Sequence, residues 1–263
     1  MAMSPRKRAQ LVRGVQYGVL LLAFVVASFV ADWEAIGKAF FDVGILLRML
    51  PDVVTVALKN TLLYTACAFA FGLVLGLLLA LMRLSSVGAY RWIATGIIEL
   101  FRGLPALVVF IAFGYGLPIA FGLQMPGGTL GTVTVALGLV GAAYMAETIR
   151  AGIQAVPKGQ MEAARSLAMS NSWAMISIII PQAFRIILPP LTNELILLTK
   201  DSSLVYLLGL SAGAAELTKF GRDALNVERS MTPLVGIAIC YLLITVPLSI
   251  VVRRMEARSE RAR

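Results

Sequence analysis

Between two long apolar runs, the chain carries the sequence Gly159-Gln160-Met161-Glu162-Ala163-Ala164-Arg165-Ser166-Leu167-Ala168. Its charged and small side chains offer too little apolar surface for a position within the hydrocarbon of a membrane. We therefore expect this stretch to lie in water, as a short loop helix between segments that cross the membrane.

Local signals predict where this loop helix begins. Pro157 and Gly159 interrupt the preceding apolar run, and we expect Glu162 in the first helical turn, where the helix dipole favours a carboxylate. Ala163 and Ala164 leave the helix nearly bare, so another protein could approach its backbone closely. This pattern favours a docking helix, and a plain amphipathic helix lying on the bilayer is the alternative.

The composition predicts an all-α integral membrane protein. Of 263 residues, 59% are hydrophobic and 14% charged, and the mean hydropathy is +0.86. Soluble domains are roughly half apolar and a quarter charged. The net charge of +9 comes from basic residues at the tails and in loops beside apolar runs. That distribution is typical of cytoplasmic loops and argues against nucleic acid as a partner.

Other residue types argue against an enzyme. The sequence has no histidine, and Cys67 and Cys240 both lie in apolar runs without CxxC spacing. These features disfavour His-based catalysis, a metal site and a disulfide. The sequence also lacks the phosphate-binding loop Gly-x4-Gly-Lys-Ser/Thr, so ATP hydrolysis by that route would need another chain.

Uncharged runs and their basic flanks predict about six transmembrane helices. Residues 14–31 follow a basic tail, and we favour a membrane helix there over a cleavable signal peptide. Residues 32–52 mix charged and apolar residues and are expected to form an external interfacial segment. The predicted spans cover residues 14–31, 60–82, 104–121, 130–147, about 186–210, and 230–252.

Two regions need interpretation beyond hydropathy. Leu117-Pro118 and the turn-forming residues 124–128 are expected to separate the third span from the fourth. The strongly basic C-terminal tail should lie on the same side as the loop helix, so region 166–215 must cross an odd number of times. We expect one crossing, preceded by a short helix over 170–184 that ends near Pro181.

The predicted fifth span contains ionisable residues. Glu194 and Asp201 are seven residues apart, so a helix places them on one face, with Asn193 and Lys200 on a neighbouring stripe. A charge at bilayer depth costs about 2.5–3.5 kcal/mol, so such residues usually face protein or water. The four residues are candidates for a substrate path, and a structural cluster near the helix end is the alternative.

The loop helix and the sequence up to Ile180-Pro181 resemble the EAA loop of ATP-binding-cassette (ABC) importer permeases. The pattern of that loop is roughly EAA, three residues, Gly, nine residues and Ile-x-Leu-Pro. This chain has Ala168 in place of Gly and Ile180 in place of Leu. We expect an ordinary helical conformation at Ala168.

Further segments are similar to the polar amino acid branch of these permeases, in the same order and spacing. They are Glu99–Pro105, Gly141–Ile153, Pro157–Gln160, Ile180–Ala183, Leu188–Glu194 and Lys200–Leu204.

The resemblance implies a fold and a domain organisation. The fold would be a five-helix type I importer core plus one N-terminal helix. Residues 1–53 would hold a cytoplasmic tail, the extra helix and the external segment. Residues 54–252 would form the permease domain, with a coupling loop at about 157–181, and 253–263 would be a basic cytoplasmic tail.

The resemblance also implies partners. A bacterial inner-membrane complex would contain two ATPase subunits, a second permease and an external amino-acid-binding protein, with lipids around it. ATP and Mg²⁺ would bind the ATPase subunits, this chain would carry no cofactor, and both its termini would be cytoplasmic. The residues expected to couple to the ATPase are Gly159, Gln160, Glu162, Ala163, Ala164 and Ala168.

Some roles remain open from the sequence. Arg102 is expected to be an anchor to lipid phosphates rather than an ATPase contact. Glu147 and Arg150 form an i, i+3 pair at a helix end and are expected to set the height of the coupling loop. An ion-coupled secondary transporter and a membrane scaffold are the rival functions, and the sequence does not identify the amino acid.

Overall fold

The computed structural model describes residues 5–208 and 212–261, which form helices and turns and contain no β-strand. In chain order the α-helices are α1 (Pro5–Val30), α2 (Trp33–Phe40), α3 (Val43–Asp52), α4 (Lys59–Leu84), α5 (Gly88–Gly103), α6 (Ala106–Ile111), α7 (Leu117–Phe121), α8 (Gly128–Gln154), α9 (Lys158–Ser166), α10 (Asn171–Ala174), α11 (Ile180–Asp201), α12 (Leu217–Glu228) and α13 (Thr232–Arg261). Helical turns of π or 3-10 type join several of them. The predicted all-α class is confirmed.

Five helical stretches of the described chain are long and apolar enough to cross a membrane, and a sixth counts if a bent pair forms one span. The bent pair is α5 with Ala106–Phe121, which meet at 103°. The predicted third span, 104–121, is the second arm of this pair. The other five predicted spans fall on Gln10–Val30, Trp33–Leu84, Gly128–Gln154, Asn171–Leu208 and Thr232–Arg258.

The segment expected at the external interface is helical and continues into the bundle. α3 passes through the π-helical turns Val53–Leu58 directly into α4. Ile45 and Met49 of α3 are buried in a cluster with Leu217 and Ile237. Residues 53 and 54, where the sequence places the start of the permease domain, therefore lie inside one continuous helix. The apolar face of α3 packs together with residues of α12 and α13.

The expected helix end at Pro181 is wrong. A helical rod runs from Asn171 to Leu208, and π-helical turns at Met175–Ile179 lie immediately before the proline. A proline ring collides with the carbonyl four residues earlier in a regular α-helix. The wider π turn moves that carbonyl aside, so the helix continues through Pro181.

The same device operates at Pro118. It follows the π-helical turns Ala112–Gly116 and does not break the chain, contrary to the expectation for Leu117-Pro118. The break lies a few residues later, at Gly122 and Gly127, which have φ of 65° and 83°. Such positive values suit glycine because it has no Cβ. The turn predicted at 124–128 is therefore confirmed.

Small residues hold the centre of the bundle together. A Cβ on Gly72 would lie 3.0 Å from the carbonyl oxygen of Gly138, and one on Gly76 would lie 2.9 Å from that of Ala142. The backbones of α4 and α8 thus touch with almost no side chain between them. Such close approach is how membrane helices gain packing energy without a hydrophobic driving force.

The outer layers differ in burial. α5, α6 and α11 complete the main core around α4 and α8. None of the described side chains of α1 is buried, and its apolar residues, such as Phe29 at 88% exposure, face away from the bundle. α1 is therefore an additional helix that buries none of its described side chains against the bundle.

A buried carboxylate fixes the start of α12. Glu216 is fully buried, accepts hydrogen bonds from the backbone N–H groups of Thr218 (2.6 Å) and Lys219 (2.7 Å), and accepts a third from the Tyr241 hydroxyl at 3.1 Å. Burial raises the pKa of Glu216 to about 7, against the lowering effect of these hydrogen bonds. The network ties α12 to α13.

Candidate functional site: a loop helix and a charged pocket

The loop helix forms where the sequence predicts it, but it begins earlier. Pro157 is the N-terminal cap of α9, and Gln160 N–H donates to its carbonyl at 3.0 Å. Gly159 lies inside the helix rather than before it. Glu162 is therefore beyond the first turn, and its expected interaction with the N-terminal end of the dipole is wrong.

Only one of the two alanines that the sequence predicts on the bare face of α9 is exposed. Gly159, Gln160, Glu162 and Ala163 are exposed, whereas Ala164 is only 2% exposed. The helix packs against the π-helical turns at 175–179, so the two alanines have different environments. Ala163 belongs to the exposed surface, and Ala164 belongs to the packing that holds α9 in place.

Ala168 is not helical, contrary to the expectation. Its φ is 60°, in the left-handed region. Met169 N–H donates to the Ala164 carbonyl (3.1 Å) and Ala168 N–H to the Arg165 carbonyl (3.0 Å). This pair of bonds is the Schellman arrangement, which places a left-handed residue just after the helix. The EAA pattern has glycine at this position, and alanine takes up the same conformation here at a steric cost.

A cluster of ion pairs joins three helices near α9. Glu147 pairs with Arg150, as the sequence predicts, and also with Arg83 of α4 at 2.6 Å. Arg83 lies 3.7 Å from Glu99 of α5 as well. Glu147, Arg83 and Arg150 are each about three-quarters buried. This network fixes the end of α8 from which α9 continues.

Two of the four candidate path residues meet at a pocket. Glu194 and Asp201 line a cavity of about 410 Å³ between α5, α6, α8 and α11. Both are partly buried, and neither has an ion-pair partner among the described residues. Asn193 and Lys200 are exposed and do not line this cavity. The seven-residue spacing thus brings the two carboxylates to one face.

The guanidinium group of Arg102, which the sequence predicts as an anchor to lipid phosphates, also borders the cavity. Arg102 lines it together with Tyr144, and the guanidinium carbon lies 5.7 Å from the tyrosine ring centroid. Arg102 is placed there by the bend at Gly103–Pro105. In the sequence, the position of Arg102 directly before Gly103-Leu104-Pro105 predicts a basic residue at a bend. It does not predict that this residue faces α11.

The cavity therefore presents both signs of charge on apolar walls. Carboxylates from α11 face the space that the Arg102 guanidinium also borders, with Val140, Leu197 and Leu198 around them. Such a lining can bind a small solute that carries an amino and a carboxylate group.

The apolar spans, the charged cavity among them and the exposed loop helix together define a membrane transport subunit. Residues 72–261 match the family described as binding-protein-dependent transport system inner membrane component. The chain belongs to this family, whose members are permease subunits of ABC importers.

Curated relatives support the same assignment. A probable glutamine ABC transporter permease protein of Bacillus subtilis is 40% identical over 203 residues, covering 77% of this chain and 91% of the relative. A glutamate/aspartate import permease protein of Escherichia coli is 35% identical over 225 residues, covering 83% and 98%.

A solved structure extends the likeness to the fold. The crystal structure of an amino acid ABC transporter with histidines matches with a TM-score of 0.72 and 37% identity, covering 81% of this chain and 96% of that one. The expected permease fold and transport role are thus confirmed, and the ion-coupled alternative is not favoured.

Proposed function

We propose that this chain forms the translocation path for a polar amino acid and is driven by a separate ATPase through α9. The observation that carries the proposal is the pairing of an exposed loop helix with a cavity of mixed charge. Similar chains are named as permeases for glutamine and for glutamate or aspartate, which agrees with a small zwitterionic solute.

The path runs through the 410 Å³ cavity. Glu194 and Asp201 face the amino group of the solute, and Arg102 faces its carboxylate. In this proposal the three charges lie within the depth of the membrane. An ionised side chain there is energetically costly unless it faces a solute or water. Asn193 and Lys200 lie outside the cavity, and we assign them as contacts on another part of the path.

Coupling uses the exposed face of α9. Gly159, Gln160, Glu162 and Ala163 form the surface that docks into the ATPase, while Ala164 and Ala168 shape and hold the helix. The ion pairs of Glu147 set the height of that surface above the bundle. ATP and Mg²⁺ bind the ATPase and not this chain.

The complete importer contains two ATPase subunits, a second permease and an external binding protein. The division into residues 1–53, the permease domain 54–252 with its loop at about 157–181, and a basic tail 253–263 follows this role. Both termini and α9 face the cytoplasm of a bacterium.

A single cysteine at Ser166 should react with an impermeant reagent only after the membrane is opened. A single cysteine at Val227 should react with the same reagent in intact cells.

Transport in vesicles tests the proposal. With the binding protein outside, ATP inside and the full complex in the membrane, uptake of the amino acid should require ATP and resist ionophores. Uptake that collapses with the ion gradient and continues without ATP would favour a secondary transporter instead.

A further inference from the structure

A second charged pocket lies away from the proposed path, near α9, where α4 and α8 end and α5 begins. It has a volume of about 310 Å³ and is lined by Arg83, Arg91, Trp92, Thr95, Arg150 and Gln154. Three guanidinium groups from three different helices meet here, and no carboxylate belongs to the lining. The charged side chains that line the pocket are therefore all basic, although carboxylates behind them pair with two of the three.

The three arginines are not equally neutralised. Arg83 and Arg150 share the carboxylate of Glu147, and Arg83 also lies 3.7 Å from the carboxylate of Glu99. Arg91 has no ion-pair partner among the residues that the structure describes. It donates instead through Nη1 to the carbonyls of Ser85 (3.1 Å) and Ser86 (2.9 Å). These bonds orient the side chain and leave Nε and Nη2 available to an anion.

The surroundings place this pocket at the membrane–water boundary. Arg83 is in the last turn of the apolar helix α4, and Gln154 is the last residue of the apolar helix α8. On α5, Tyr90, Trp92 and Ile93 are 52%, 78% and 54% exposed. Exposed aromatic residues next to basic ones are typical of the level of the lipid headgroups.

We propose that the pocket formed by Arg83, Arg91 and Arg150 binds the phosphate of an anionic phospholipid. Guanidinium groups match phosphate oxygens with paired hydrogen bonds, and basic pockets between membrane helices bind such headgroups. The acyl chains lie along the exposed apolar side of α5. A lipid held here braces the adjoining ends of α4, α5 and α8, and α8 leads into α9. The pocket shares no residue with the cavity of the proposed path or with α9, so it is a separate site.

Thermal unfolding of the purified full-length chain tests the site. The chain in a neutral detergent is given phosphatidylglycerol, phosphatidylcholine or inorganic phosphate, and lipid retention is measured by native mass spectrometry. Phosphatidylglycerol should raise the melting temperature by several degrees more than phosphatidylcholine and be retained at least threefold more. Equal effects of the two lipids, or an equal shift with inorganic phosphate, would overturn the proposal.

Variants locate the effect. Arg91→Gln should abolish the preference for phosphatidylglycerol, and Thr95→Glu should do the same by adding a negative charge while all three arginines remain. Arg48→Gln is the control, because Arg48 is an exposed arginine on α3 whose ion pair with Glu228 lies outside the pocket. An unchanged preference in both pocket variants, or its loss in the control, would contradict the site.

Discussion

Single residues decide how α9 ends. Ala168 adopts φ of 60° because two backbone bonds close the Schellman arrangement behind it. The sequence predicts the helix but not its last residue, since the terminus depends on how α9 meets the following turns. The expectation of a helical Ala168 failed for that reason.

Replacement of Ala168 by glycine should stabilise the protein by about 1 kcal/mol, because glycine adopts positive φ without a steric cost. Thermal unfolding of the purified chain measures the change. Ala163→Gly is the control: it lies inside the same helix, and glycine there should destabilise by up to about 1 kcal/mol. A neutral or destabilising Ala168→Gly would show that the left-handed conformation is not held.

At the pocket, the sequence predicts the shared face of Glu194 and Asp201 but not Arg102. The carboxylates follow from helical periodicity within α11. Arg102 lines the same cavity because of the 103° bend after α5 and the packing of α6 on α8, which no local pattern specifies.

Glu194→Gln should reduce amino acid uptake several-fold while melting temperature and basal ATP hydrolysis of the complex stay near wild type. The reason is that a charge facing the path acts on the solute more than on packing. Arg185→Gln, which changes an exposed residue of the same helix that does not line the cavity, should retain most of the uptake. If Glu194 is structural, its variant should instead lose about 1–3 kcal/mol of stability first.

Among the elements, the contact of α4 with α8 depends most on small residues. Gly76→Val would place its Cβ 2.9 Å from the Ala142 carbonyl and 3.0 Å from the Met145 Cβ. The helices would have to separate, at a cost of about 1–3 kcal/mol or more. We expect a clearly lower melting temperature.

Gly96→Val is its control, since a Cβ there meets nothing within 4 Å. Equal stability of the two variants would mean that α4 and α8 do not touch as described. Hydropathy predicts both helices, but it contains no information on which faces meet. Hydropathy likewise does not predict the π-helical turns before Pro118 and Pro181.

The buried carboxyl group of Glu216, at the start of α12, should make the stability of the protein depend on pH. The folded-state pKa of Glu216 is raised to about 7, so the folded state binds its proton more tightly than the unfolded state does. Stability is then present at low pH and falls as pH rises from about 5 to 7, by roughly 2–3 kcal/mol.

Melting curves from pH 5 to 8 measure this dependence. Glu216→Gln should flatten the profile, because the amide cannot ionise. Glu228→Gln, which removes a carboxylate from the last turn of the same helix, should leave the fall in place. A wild-type stability that rises over this range would contradict the role of Glu216.

At the scale of the whole molecule, the parts serve different tasks. The main core holds the charged cavity, and the second cluster joins α3 to α12 and α13. α9 packs on the edge of the main core through Met161 and exposes its opposite face. Composition alone predicts the membrane class, and the order of the motifs predicts the family. The relative placement of cavity and loop helix needs the fold.

We propose above all that the exposed face of α9 transmits the energy of ATP hydrolysis to the path. ATP-driven uptake by reconstituted Ala163→Trp complexes tests it most directly, with exposed Ala35 of α2 replaced by tryptophan as the matched control. We predict normal insertion and melting for both variants, near-wild-type uptake for Ala35→Trp, and at least tenfold lower uptake for Ala163→Trp. Wild-type uptake by the Ala163→Trp complex would contradict the account.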